Sequence, residues 1–114
     1  MAQKFQVILL QEASDFIDSL DEKARYKIIY NMNKARQSND KELFKKLTNE
    51  IWEFRTLYNK TYYRLFAFWD KTDLNETLVI STNGLIKKTD KIPSSEIDRA
   101  ERIRIKYFEQ KNNK

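Results

Sequence analysis

The sequence contains no cysteine and no histidine, and it has one glycine and one proline in 114 residues. Without cysteine the chain can form no disulfide and offers no thiolate, and without histidine it lacks the commonest zinc ligand. We therefore expect no metal site and no cofactor. Histidine is also the side chain that most often moves protons near neutral pH, so any catalysis must depend on carboxylates, lysines, arginines or tyrosines.

Long apolar runs are also missing. The run near the N-terminus ends at Leu10, which is too short for a signal-peptide core with its flanks or for a membrane span. We therefore predict a cytoplasmic protein with no membrane partner. The length and the 40% apolar content predict a single domain over residues 1–110, followed by a frayed tail at 111–114.

Positive charge is in excess but is unevenly distributed. Residues 1–40 contain six basic and six acidic side chains, whereas residues 41–114 contain sixteen basic and eleven acidic ones, which gives the net charge of +5. A basic surface attracts polyanions through sequence-independent electrostatics. Nucleic acid is therefore a plausible partner, although charge alone does not require it.

The first forty residues predict a strand followed by two short helices. The apolar run from Phe5 to Leu10 is typical of a buried strand. Apolar residues then recur with the helical period, and Asp21 is placed to cap the second helix. The inward faces would consist of Ala13, Phe16, Ile17 and Leu20 in the first helix and Ala24, Ile28, Met32 and Ala35 in the second.

The middle of the chain changes to the two-residue period of strands. Polar turns separate three such runs, which predicts an antiparallel meander of strands at 51–58, 62–69 and 77–82. We interpret the preceding residues 41–47 as a short helical turn.

The end of the chain predicts a terminal helix. Gly84 is interpreted as the end of the third meander strand, and Ser94 or Ser95, just after the proline, as the helix cap. The order of elements predicts an α+β fold in which an N-terminal strand and a helical hairpin pack on an antiparallel sheet, with a C-terminal helix.

Charged residues that could do chemistry converge on this sheet. Alternation puts Glu53 and Arg55 on one face of the first meander strand, and Arg64 lies on the antiparallel partner strand. Three lysines follow the third strand, namely Lys87, Lys88 and Lys91. The sequence thus predicts a mixed glutamate, arginine and lysine cluster near one end of the sheet.

This cluster suits RNA cleavage without a metal. The 2′-hydroxyl attacks the adjacent phosphorus, and negative charge develops on the phosphate oxygens and on the leaving oxygen. Arg64 could bind the phosphate, Lys87 or Lys88 could supply charge or a proton, and Glu53 is the candidate base.

The same residues also fit structural roles. Glu53 and Arg55 could form a solvated row of ion pairs, and the strand aromatics could simply fill the core. Tyr62 and Tyr63 could stack on a base or donate a hydrogen bond.

Four blocks, in this order along the chain, resemble a known family. The segments Lys46-Leu47, Ile51 to Arg55 and Tyr63 to Phe66 are similar to the K-L, h-x-E-h-R and Y-R-h-h blocks of HigB-like toxins, where h is apolar. The segment from Leu85 to Pro93, with the residues that follow it, resembles a block of the phage-derived members of that branch. On these blocks the chain resembles the RelE/ParE superfamily, in the HigB-like branch of type II toxin–antitoxin systems.

The resemblance implies a microbial RNase fold, also called RelE-like, and a ribosome-dependent endoribonuclease, or mRNA interferase. It also implies that a helix-turn-helix antitoxin neutralises the protein. The antitoxin would bind operator DNA, so the chain would associate with that DNA only indirectly. The residues carried over as catalytic candidates are Glu53, Arg55, Arg64, Lys87 and Lys88. As RNA-contacting residues we expect Lys46, Tyr63, Lys91, Arg99 and Arg102.

Two alternatives remain open. The superfamily shares its fold between cleaving and non-cleaving members, so the chain could be a ParE-like toxin that inhibits DNA gyrase. It could also be a catalytically weak protein that only binds its antitoxin. The chain departs from the branch at Leu85, where an aromatic residue is expected, and at Ile92, where a threonine is expected.

Overall fold

The computed structural model describes residues 5–38, 40–72, 78–87 and 91–113. Within these ranges the chain forms β1 Gln6–Leu9, α1 Gln11–Asp18, α2 Glu22–Ala35, β2 Phe44–Lys46, β3 Trp52–Tyr58, β4 Thr61–Asp70, β5 Leu78–Lys87 and α3 Ser94–Asn112. The predicted α+β fold, with a helical hairpin before the sheet and a helix after it, is confirmed. No helix in these ranges is long and apolar enough to cross a membrane.

The strands form one sheet in the order β1-β5-β4-β3-β2. The meander β3, β4 and β5 is antiparallel, as predicted, and β1 pairs in parallel with β5. β1 occupies an edge of the sheet, so its residues alternate between exposed and half-buried positions and Ile8 is 43% exposed. The prediction that the whole run from Phe5 to Leu10 is buried is therefore wrong, although Phe5 itself is buried.

The two faces of the sheet carry separate cores. Leu65 and Ala67 of β4 belong to a cluster with buried residues of α1 and α2, whereas Phe66 and Phe68 belong to a cluster with Ala100 of α3. Successive residues of a strand point to opposite faces, so the helical hairpin and α3 cover opposite faces of the sheet.

The prediction for α2 is confirmed in detail. The Asp21 carboxylate accepts a hydrogen bond from the backbone N–H of Ala24 at 2.8 Å, which satisfies one of the free donors at the helix start. The predicted inward stripe is buried, at Ala24, Ile28, Met32 and Ala35.

Two predicted boundaries in and before the meander are wrong. Residues 41–43 do form a turn, but Phe44–Lys46 is a strand that pairs with β3 rather than a continuation of that turn. β5 does not end at Gly84 and continues to Lys87. Both errors arise because tertiary pairing overrides weak local signals in short or glycine-containing segments.

α3 differs from the prediction at both ends. Its N-cap is Pro93, and no side-chain hydrogen bond from Ser94 or Ser95 caps it. At the other end the helix continues past residue 110 to Asn112, and the Lys111 Nζ lies 2.7 Å from Asp70 Oδ2. The segment predicted to fray from residue 111 is therefore helical up to Asn112.

Asp70, at the end of β4, anchors the C-terminal part of α3. Its carboxylate accepts hydrogen bonds from Tyr107 at 2.5 Å, from Lys111 and from Thr72. Burial raises the pKa of Asp70, but these hydrogen bonds outweigh it and hold the pKa below its ordinary value. Burial, with the hydrogen bond to Asp70 and its charge, raises the pKa of Tyr107 to about 12.

The single glycine is required by a close approach of α1. A Cβ atom placed on Gly84 would overlap the ring of Phe16. We expect Gly84→Ala to lower the free energy of unfolding by about 1–3 kcal/mol, the usual cost of forcing extra volume into a packed site. Urea unfolding of Gly84→Ala, Phe16→Ala and the double variant measures this.

If the overlap is the cause, the double variant loses less stability than the sum of the two single losses, because Phe16→Ala removes the atoms that collide. Additive losses would show that Gly84 is required for another reason.

Candidate active site

Strand register brings the charged residues of the sheet together. Arg55 of β3 is the Cα partner of Arg64 of β4, which is the Cα partner of Leu85 of β5. Between β4 and β5, Tyr62 is the Cα partner of Lys87. Because alternate residues share a face, Glu53, two positions from Arg55, lies on this face too, opposite the helical hairpin.

A buried ion pair forms the centre of the cluster. Arg64 Nε lies 3.0 Å from Glu53 Oε1, and the two residues are 2% and 3% exposed. A second nitrogen of Arg64 donates to the carbonyl oxygen of Tyr63 at 3.2 Å, and the ring of Tyr62 lies 5.4 Å from the guanidinium carbon. These contacts fix the arginine in one orientation beneath the surface.

Two further cations surround the glutamate. Arg55 Nε lies 3.8 Å from Glu53 Oε2, and Arg55 Nη1 lies 4.0 Å from Glu42. Arg55 is the more exposed of the two arginines, since 19% of its side chain is accessible compared with 2% for Arg64. Lys87 is 9% exposed and its charge acts on Glu53.

The protonation of Glu53 is set by two opposing effects. Burial raises its pKa, because a charged carboxylate loses hydration, and the neighbouring cations lower it. The cations, in decreasing order of effect, are Arg64, Arg55, Lys87 and Lys45. Burial dominates, so the pKa of Glu53 is raised, and the carboxylate is a stronger base than an ordinary glutamate.

The structure gathers four of the five predicted catalytic residues, Glu53, Arg55, Arg64 and Lys87, into one cluster. The fifth, Lys88, lies outside the described residues. Lys45 was missed by the sequence reasoning, although it is the Cα partner of Glu53. Interpreting residues 41–47 as a helical turn concealed this cross-strand position, which a strand at 44–46 would have revealed.

Tyr63 is not on the face of the cluster. It packs against the core under the helical hairpin, and burial, with the charge of Asp21, raises its pKa. Tyr62, which shares its face with Arg64, is the tyrosine beside the cluster. Strand parity alone separates the two tyrosines, because Arg64 and Tyr62 are two positions apart.

The other predicted RNA-contacting residues are Lys46, Lys91, Arg99 and Arg102. Arg99 of α3 forms an ion pair with Glu12 of α1 at 2.8 Å. The other three are exposed, as expected for residues that contact a polyanion, namely Lys46, Lys91 and Arg102. Within the described ranges, acidic side chains form no group of three that could hold a metal ion.

The cluster combines the parts of a cleavage site with restricted access. It has a carboxylate of raised pKa, two arginines with planar donors and a lysine, which together can accept a proton, bind a phosphate and neutralise developing charge. The buried pair Glu53 and Arg64 is covered in this structure, and Arg55 is its most accessible neighbour.

Fold and site together define a class of protein, namely a small α+β protein consistent with the RelE-like fold, with a Glu/Arg/Lys cluster on the sheet face opposite a helical hairpin. A family model described as "Phage derived protein Gp49-like (DUF891)" matches residues 15–105. The match covers most of the chain, so the protein belongs to the Gp49-like family, which is part of the RelE/HigB-type toxin superfamily. That family is associated with the toxins of toxin–antitoxin systems. A search of curated proteins finds no match.

Proposed function

We propose that this protein is the toxin of a type II toxin–antitoxin pair and that it is a ribosome-dependent endoribonuclease that cleaves mRNA without a metal. Membership of the Gp49-like family supports the toxin assignment. The observation that carries the chemistry is the Glu53–Arg64 pair, 3.0 Å apart, with Arg55 and Lys87 beside it.

In the proposed reaction each residue has one role. Glu53 takes the proton from the 2′-hydroxyl as the 2′-oxygen forms a bond to phosphorus, and Arg64 and Arg55 bind the phosphate oxygens. The bond from phosphorus to the 5′-oxygen breaks, and Lys87 gives that oxygen a proton. The products are a 2′,3′-cyclic phosphate and a 5′-hydroxyl. Lys88 is the alternative proton donor.

Access to the site runs past Arg55 in this proposal. Arg55 has the more exposed of the two guanidinium groups, so an incoming phosphate contacts it first. Arg64 can bind the phosphate only after the protein atoms that bury it have been displaced. A requirement for such a displacement is consistent with a toxin that acts only on the ribosome, because ribosomal contacts can stabilise the open form.

The proposed partners follow from the function. They are a ribosome with its mRNA and a helix-turn-helix antitoxin that carries the operator-binding activity. The expected RNA-contacting residues are the exposed ones, Lys46, Lys91 and Arg102, whose positive charge suits phosphate.

A second candidate function has one specific observation in its favour. Arg64 is only 2% exposed and Glu53 only 3%, and a buried ion pair is also what a purely structural cluster would contain. On this alternative the protein is a ParE-like toxin that binds DNA gyrase and cleaves nothing.

Induction of the protein in growing cells separates the two functions. The nuclease proposal predicts growth arrest with loss of full-length mRNA within minutes and an intact chromosome. DNA breaks with intact mRNA would contradict it and favour the gyrase alternative. Growth at the normal rate would contradict both functions and would favour a protein that only binds its antitoxin.

A further inference from the structure

A cleft lies beyond the end of β1, where α1 and α3 meet at the edge of β5. β1 pairs with β5 only as far as Ser81. Past that point Arg99 of α3 and Glu12 of α1 are joined by an ion pair at 2.8 Å. The cleft has a volume of about 300 Å³, and its lining includes Asn83, Glu96 and Arg99.

Asn83 contributes a buried donor that the protein leaves unsatisfied. The residue is 3% exposed, and its Oδ1 accepts a hydrogen bond from Thr82 Oγ1 at 2.6 Å. Its Nδ2 has no hydrogen-bond partner among the described residues. A buried donor of this kind costs free energy unless an acceptor reaches it.

The three carboxylates of the cleft are not equivalent. Glu12 is bound by Arg99, and Asp15 accepts a hydrogen bond from Gln11 at 2.8 Å. For the carboxylate of Glu96, the described part of the chain supplies no partner. The cleft therefore presents one available acceptor, at Glu96, and one available donor, at Asn83.

Arg99 contributes a flat surface held in place. Its Nε donates to Glu12 Oε2 at 2.9 Å and its Nη2 lies 2.8 Å from the same oxygen, while half of the side chain remains exposed. Guanidinium planes of this kind stack on nucleobases, whose edges then hydrogen-bond to side chains.

We propose that this cleft binds a guanine base of single-stranded RNA. Guanine carries an acceptor, O6, beside two donors, N1–H and the 2-amino group, so O6 accepts from Asn83 and the two donors bind Glu96. Adenine would turn its N1 acceptor toward the carboxylate. A lysine or arginine side chain of a protein partner would satisfy Glu96 but would leave Asn83 opposite another donor.

The position of the cleft connects it to the proposed cleavage site. Asn83 precedes Leu85 by two residues, which is about 7 Å along a strand, and Leu85 is the Cα partner of Arg64. The guanine would thus belong to a nucleotide near the scissile phosphate. In this respect the inference rests on the proposed function, since it assigns a base preference to that reaction.

Binding can be tested without cleavage. Pentanucleotides UUGUU, UUAUU and UUIUU, with I for inosine and 2′-O-methyl groups throughout, cannot be cut because the attacking hydroxyl is blocked. Titration into ¹⁵N-labelled protein, followed by two-dimensional NMR, gives each Kd. UUGUU is expected to bind about tenfold tighter than UUAUU, as for one well-placed paired contact. UUIUU, which lacks the 2-amino group, is expected to lie between them.

Glu96→Gln supplies the matched test, because it keeps the shape and replaces the acceptor. We expect it to reduce the preference for UUGUU to about twofold or less, whereas Asp98→Asn, an exposed change on the same helix, keeps the full preference. Equal binding of UUGUU and UUAUU, no binding of any pentanucleotide, or an unchanged preference in Glu96→Gln would each overturn the proposal.

The outcome is independent of the nuclease assignment. Guanine preference in a protein that cleaves no mRNA would support the base site and reject the proposed function. Cleavage of mRNA by a protein that binds all three pentanucleotides equally would do the reverse.

Discussion

Glu53→Gln is expected to reduce the rate of mRNA cleavage by about 10²–10⁴-fold, the usual contribution of a positioned base. The substitution keeps the shape of the side chain and its contact with Arg64 but removes the group that accepts the proton. Cleavage by purified protein on translating ribosomes measures the effect, and urea unfolding of the same variant measures any loss of folded protein. Glu50→Gln is the matched control, because Glu50 is exposed and lies 3.9 Å from Arg104; it should cleave at the wild-type rate.

The pH profile separates a base from a structural residue. The wild-type rate should fall on the acidic side as Glu53 becomes protonated, and the fall should begin at a higher pH than for an ordinary glutamate, because burial raises the pKa of this carboxyl. The residual activity of Glu53→Gln should lack that fall. A Glu53→Gln protein that is folded and fully active would show that Glu53 is not the base.

Arg64→Ala is expected to lower the free energy of unfolding by about 3–5 kcal/mol, because it leaves the buried Glu53 without its closest counter-charge. Chemical denaturation measures the loss. Arg99→Ala is the matched control, since Arg99 makes an ion pair of similar length with Glu12, at 2.8 Å, but at a half-exposed site. It should cost less than about 1 kcal/mol. Equal losses for the two variants would contradict the account of the buried pair.

A double-mutant cycle identifies the cause. Glu53→Gln with Arg64→Ala should cost about 0.5–3 kcal/mol less than the sum of the single losses, because a neutral glutamine no longer requires a cation. The size of the Arg64→Ala effect also matters for cell assays, since a destabilised variant is present at a lower folded concentration, which reduces toxicity whether or not Arg64 binds phosphate. Arg64→Lys, which keeps the charge, is the better probe of phosphate binding.

Periodicity predicted those elements whose signals are long and regular. The helical stripe of α2 and its cap at Asp21 were predicted correctly, and strand alternation placed Glu53 and Arg55 on a shared face. The parity of positions along β4 could also have separated Tyr62 from Tyr63. These features follow from backbone geometry, which any sequence of this pattern shares.

Other features depend on contacts between distant segments. β2 has only three residues, too few to show a period, and it forms because β3 offers a partner edge. β5 continues through Gly84 because β4 pairs with it there, and position 84 is glycine because the ring of Phe16 occupies the space that a side chain would take. The burial of Arg64 and the raised pKa of Glu53 likewise result from tertiary assembly, so local sequence could identify the residues but not their environment.

The most direct test of the central claim is the chemistry of the RNA ends produced when purified protein acts on ribosomes translating a defined mRNA. The proposed mechanism predicts fragments with 2′,3′-cyclic phosphate and 5′-hydroxyl ends in the wild-type reaction and nearly none with Glu53→Gln. Intact mRNA with the wild-type protein, or fragments with 5′-phosphate ends, would contradict it.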